Sequence, residues 1–144
     1  MQEEKIIRSK ADNQITGLSG EYFVAAELLK RDFQVSMTLG NAKSIDLIAI
    51  SQVTNKIYRI QVKTLRKKPN CFTLLINKVV SEDIYIFVYL NSEHEMPDYH
   101  IIEGSELLAN LQHFYGASIG RLDKRETVNH GPIKEHKNRW DKLK

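Results

Sequence analysis

Residues 84–90, IYIFVYL, are seven consecutive apolar residues that lack the in-and-out alternation of a half-buried strand. A run so short and so rich in β-branched and aromatic residues reads as a strand buried on both faces. It falls far short of the roughly 20 residues a membrane-spanning helix needs, so no membrane partner is expected. At 144 residues, 42% of them hydrophobic, the chain has the length of one ordinary domain and enough apolar material to close a single core. The lone cysteine, Cys71, excludes an intramolecular disulfide, and the polar opening MQEEKIIRSK has no apolar secretion signal, so a cytoplasmic location is expected.

The neighbouring elements follow from periodicity. A helix is predicted over 17–31, where Leu18, Val24, Ala25, Leu28 and Leu29 fall at helical spacing and Thr16 or Ser19 can cap the start. FQVSMTL (33–39), SIDLIAIS (44–51) and KIYRIQVKTL (56–65) read as a three-strand meander joined by turns. FTLLI (72–76) and DIYIFVYL (83–90) should extend the same sheet, with YHIIE as its last strand. SELLANLQHF (105–114) predicts a second helix with a Ser cap. Pro132 could open a short third helix on which Ile133, Trp140 and Leu143 share a face. The expected architecture is a single α/β domain, 1–144, whose mixed, mostly antiparallel central sheet is flanked by helices.

Polar residues interrupt two of these strands. Asp46 sits in SIDLIAI, and Gln61 and Lys63 sit in IYRIQVKTL, although burying such groups unpaired is costly. Strand alternation puts Ile57, Arg59, Gln61 and Lys63 on one face and Tyr58, Ile60, Val62 and Thr64 on the other. The hairpin brings Asp46 within cross-strand reach of that polar pair, and helical spacing turns Glu21 inward with Val24, Ala25 and Leu28. Two acids, an amide and a lysine make an oxygen-rich site of the kind Mg²⁺ prefers, with Lys63 placed to hold or deprotonate an attacking water. Spacing alone equally allows a buried Asp46–Lys63 salt bridge with Gln61 as its hydrogen-bond partner.

Net charge is only +3, but residues 121–144 hold eight Lys/Arg against four Asp/Glu, and Arg66, Lys67 and Lys68 form a second basic cluster. Clustering of this kind suits a phosphate-rich partner, the alternative being an ordinary solvated face. Other candidates are weaker. His130 and His136 lack a zinc-ligand spacing and read as surface histidines, Cys71 reads as a small core residue, and no Gly-rich stretch carries the Gly-Lys-Ser/Thr of a phosphate loop.

GLSGEYFVAAELLKRDFQVSMTLGNAKSIDLIAI…YRIQVKTL resembles the core of the PD-(D/E)XK nuclease superfamily: a helix Glu, an Asp at a strand end, and Glu/Gln-x-Lys on the next strand. It is similar in particular to small stand-alone bacterial members with G-E on the helix and Q-V-K-T on the strand, and IFVYL…PDYHIIEGSEL and NRWDKL are similar to their C-terminal half. The resemblance implies a restriction-endonuclease-like fold and an endonuclease that hydrolyses DNA, duplex or branched, with Mg²⁺ or in its place Mn²⁺. It assigns catalysis to Glu21, Asp46, Gln61 and Lys63, with metal held by Asp46, Gln61, the main-chain carbonyl of Val62, and Glu21. Arg66, Lys67, Lys68, Lys124, Arg125, Lys137 and Arg139 would grip the backbone, and cutting both strands calls for a homodimer or higher homo-oligomer. Two residues depart from the pattern: Gln61 stands where an acid is more usual, and no proline precedes Asp46. The missing negative charge leaves open a non-catalytic nucleic-acid-binding or protein-interaction module on the same scaffold.

Overall fold

A computed structural model describes residues 10–38, 45–123 and 125–144. Helix α1 (Lys10–Lys30) leads into a five-stranded sheet of β1 (Phe33–Met37), β2 (Leu47–Ser51), β3 (Ile57–Leu65), β5 (Ile84–Tyr89) and β6 (Asp98–Glu103), in that spatial order. Only β3 and β5 run parallel. The intervening segment carries β4 (Phe72–Thr73), which pairs with β7 (Thr127–Val128) in a separate two-stranded sheet. Helices α2 (Gly104–Ala109) and α3 (Leu111–Tyr115) follow β6, and the chain ends in two 3-10 turns, Pro132–His136 and Trp140–Lys142.

The unbroken apolar run explains itself in β5. Ile84, Ile86 and Val88 face α1 and pack with Val24, Ala25, Leu28, Ile60 and Val62. Tyr85, Phe87 and Tyr89 face the opposite layer, where Phe72, Leu74, Leu107, Phe114 and Val128 cover them. A strand with a hydrophobic layer on each side has no solvent face, hence no alternation.

How closely α1 approaches the sheet is set by one glycine. A Cβ built on Gly20 would lie 1.8 Å from Thr64 Oγ1, so only glycine lets the helix cross β3 at this depth. The helix ends where Asp32 takes a left-handed φ of 63° and turns the chain into β1.

Several sequence expectations are corrected. The first helix begins well before its expected caps, leaving Thr16 and Ser19 inside it, and Leu18 and Leu29 lie exposed rather than in its apolar stripe. FTLLI does not extend the central sheet, because β5 pairs directly with β3 and leaves β4 to find β7. Asp46 lies just outside β2. The single helix over 105–114 is two, broken at Asn110 (φ −133°, ψ 45°), and its cap is Glu103, whose side chain and that of Glu106 form a reciprocal capping box. The terminal residues share no single face: Ile133 packs in the layer beneath α2 and α3, whereas Trp140 and Leu143 pack on the α1 side. Cys71 is exposed, not core.

Candidate functional site

The β2–β3 ladder stops at the Leu47–Ile60 pair, and Asp46 continues it with its side chain. Its backbone N–H donates to Ile60 O at 3.0 Å, while its Oδ2 accepts the Val62 N–H at 2.7 Å. The N–H and C=O of one strand residue point to the same side, so the Val62 carbonyl lies along this same edge of β3, past the last rung of β2. From the α1 side, Glu21 follows Gly20 directly and meets Asp46. Burial first, then the charge of Asp46 and a hydrogen bond with it, push the Glu21 carboxyl up to about 7. Like charges in contact cannot both ionise easily, so the Glu21 carboxyl keeps its proton to higher pH than an ordinary carboxyl.

The other face of β3 carries a second polar group of residues. Gln61, 4% exposed, donates from Nε2 to Asp83 Oδ2 at 2.9 Å and to the Tyr85 hydroxyl at 3.1 Å. Tyr85 in turn accepts the Val80 N–H at 2.9 Å. Asp83 is wholly buried, and Arg59 Nε reaches its Oδ1 at 3.0 Å, an ionic contact off the line of a proper hydrogen bond. Burial is the main reason the Tyr85 hydroxyl is held above its usual pKa, with Asp83 adding to it. Lys63, two residues beyond Gln61 on the same face, forms no ion pair with any described acid, Asp46 included. The Asp46–Lys63 salt bridge that spacing allowed is therefore not formed.

A family model described as PD-(D/E)XK endonuclease matches residues 11–87, more than half of the chain. The chain belongs to that family. The matched segment holds Glu21, Asp46, Gln61, Lys63 and Asp83. No curated protein matches. Among solved structures the chain is similar to a bacterial homing endonuclease, I-Ssp6803I, at 18% identity and TM-score 0.49. That alignment covers 64% of this chain and 65% of the other, less than two thirds of that nuclease's length.

For a PD-(D/E)XK chain the donor set is informative. Glu21, Asp46 and the Val62 carbonyl offer oxygen alone, the chemistry of a hard divalent ion, whereas the Gln61 side chain that spacing set beside Asp46 has its described hydrogen bonds with Asp83 and Tyr85 instead. Among the described residues no three His, Cys, Asp or Glu cluster as metal ligands, so two carboxylates are all the acid this edge supplies. Sequence reasoning put Arg59 on the face of Gln61 but missed Asp83 and Tyr85 as the partners of Gln61, and with them the pairing of Arg59 to Asp83. The one signal was an acid set directly before a fully apolar strand, DIYIFVYL.

The basic residues sort into three situations. Arg66 and Lys67 line a cavity of about 520 Å³ between α1 and the end of β3, shared with Asn13, Thr16, Thr64 and Asn70. Arg66 also donates to Thr16 Oγ1 at 2.9 Å. Lys68 and Lys137 both pair with Asp98 and line a separate cavity of about 610 Å³ with His100 and His130. Arg125 pairs with Asp123, and Arg139 with Asp141. Lys124 lies outside the described residues. Beside the larger cavity, Cys71 Sγ is 3.9 Å from His130 Nδ1, a neighbour not assignable from sequence. No described helix is long and apolar enough to cross a membrane.

Proposed function

We propose that this protein is a divalent-metal-dependent endonuclease that hydrolyses DNA phosphodiester bonds. The observation that carries the reading is the contact between Glu21 and Asp46 at the edge of β3 past its last pair with β2, with Lys63, which pairs with no acid among the described residues, on the same strand. Two carboxylates that must otherwise share a proton are stabilised as anions by a divalent cation. Asp46, Glu21, the Val62 carbonyl and the Gln61 amide oxygen would hold Mg²⁺, or Mn²⁺ in its place. Bound there, the ion would offset negative charge building on the phosphoryl oxygens. Lys63 holds the attacking water or takes its proton, and Arg66 with Lys67 grips backbone phosphate in the cavity next to the site. A homodimer, or a higher homo-oligomer, would cut both strands of a duplex or branched DNA, in the cytoplasm.

The bonds that tie Gln61 to Asp83 and Tyr85 favour a second reading, a nuclease scaffold that binds nucleic acid without cleaving it. One assay separates the two. Supercoiled plasmid is incubated with pure protein in Mg²⁺ and in chelator, alongside Asp46→Ala and Lys63→Ala. Nicking only in Mg²⁺, lost in both variants while they remain folded and bind DNA, supports the nuclease. Plasmid binding with no nicking in Mg²⁺ or Mn²⁺ supports the binding module.

A further inference from the structure

We infer that Asp83 is the positioning residue that makes Gln61 a metal ligand: it holds the amide by its nitrogen, aims the oxygen away from the buried network, and supplies the negative charge a glutamine lacks. This rests on the metal-site reading above. A primary amide carries its donor nitrogen and acceptor oxygen on one planar carbon. A carboxylate oxygen 2.9 Å away can be met only by the nitrogen, because the flipped amide would place two acceptors face to face. The Tyr85 hydroxyl alone would tolerate either orientation, so the choice belongs to Asp83. With the nitrogen pinned, Oε1 is directed away from Asp83.

Asp83 cannot wander from this task. Its backbone N–H closes a turn onto Val80 O at 3.1 Å, and its own carbonyl accepts the Gly104 N–H at 2.8 Å. At Gly104 the chain is packed so closely that a Cβ would sit 1.9 Å from Val80 O. The parallel pairing of β3 with β5, which sets Gln61 opposite Tyr85, then fixes the carboxylate relative to the amide. A carboxylate bonded to the N–H side of an amide draws electron density toward its carbonyl oxygen, strengthening it as a ligand, as outer carboxylates do for ligating histidines. Arg59, half exposed, is the one cation that Asp83 contacts among the described residues.

The competing account is a plain structural Asp83–Arg59 pair. It predicts that losing the Asp83 charge acts on stability alone, whatever occupies position 61. The test is Mn²⁺ titration calorimetry on the full chain without DNA, comparing wild type, Asp83→Asn, Gln61→Glu and the double variant, with melts in chelator run in parallel. Asp83→Asn should weaken Mn²⁺ binding about 10-fold in the wild-type background. In the Gln61→Glu background the same change should leave binding unchanged or tighten it, because Asp83 would there oppose a second carboxylate. Equal losses in both backgrounds, or none in the wild type, overturn the inference. Asp46→Ala separates the two levels. If it binds Mn²⁺ like wild type, the metal site itself is wrong; if it loses the ion while Asp83→Asn keeps it, only the role of Asp83 falls. Should Asp83→Asn not fold, the Gln61 side-chain amide resonance of the wild type carries the test: saturating Mg²⁺ should shift it, and an unmoved resonance overturns the inference.

Discussion

Glu21 offers a measurement that needs neither metal nor substrate. Its carboxyl titrates near 7 in the folded protein against an ordinary value of 4.5. The folded state therefore binds the extra proton between those two pH values, and stability falls as pH rises through that window. Below about 4.5 the contribution is fully present; above about 7 it is gone. A shift of this size has a ceiling of about 3.4 kcal/mol, and solvent screening at a part-exposed group brings it to about 1–2 kcal/mol. The perturbation is Glu21→Gln, which keeps the shape and removes the titration. In chelator, urea unfolding across pH 4 to 8 should show the variant matching wild type at pH 4. At pH 8 it should exceed wild type by about 1–2 kcal/mol, or about 2–8 °C in Tm for a domain of this size. Mg²⁺ should then restore wild type at pH 8 and leave the variant little changed. A difference that stays constant with pH would refute the Glu21–Asp46 contact, and so would a variant less stable than wild type at pH 8.

The other outcomes follow from packing and charge. Gly20→Ala should cost about 1–3 kcal/mol by overpacking against Thr64 and should lower plasmid nicking beyond what unfolding explains, since Glu21 moves with the helix. Thermal melts beside nicking rates check it, and a neutral Gly20→Ala would refute the close crossing. Trp140→Ala should cost about 3–5 kcal/mol in urea unfolding, because the ring is buried against Tyr99 and beneath Arg31. Lys67→Ala should flatten the log–log salt dependence of DNA binding by about 0.9, whereas Lys68→Ala, whose charge is already spent on Asp98, should change it less. Equal slopes in the two lysine variants would count against this division.

Most of the sheet was legible because its strands carry their own signals: β-branched runs, turn residues, and the absence of alternation in β5. The inward face of Glu21 and the shared face of Gln61 and Lys63 were legible as local periodicity. What could not be read was register between segments distant in sequence. The parallel pairing of β3 with β5 brings Asp83 to Gln61 across twenty-two residues, and no local pattern encodes that distance. The same holds for the tail, whose charge surplus suggested a basic arm. Its buried Ile133, Trp140 and Leu143 make it part of the packing, and Lys137 and Arg139 each have an acid partner. Composition registers charge but not whether a charge is already answered.

A glutamine at position 61 then has a physical account. Glu21 and Asp46 already crowd one edge of β3 enough to keep a proton near neutral pH, and Asp83 is buried on the other face. A glutamate at 61 would lose the 2.9 Å amide bond to Asp83 and set two acids against each other where both side chains are buried. Glutamine avoids that repulsion in the metal-free fold while still presenting an oxygen. On the inferred role of Asp83, the missing negative charge would stand one residue farther out, on Asp83, with the amide transmitting part of it. Under the proposed metal site, such an arrangement would trade ion affinity of the free protein for stability, and DNA phosphate, bringing its own anionic oxygens, would make up the shortfall.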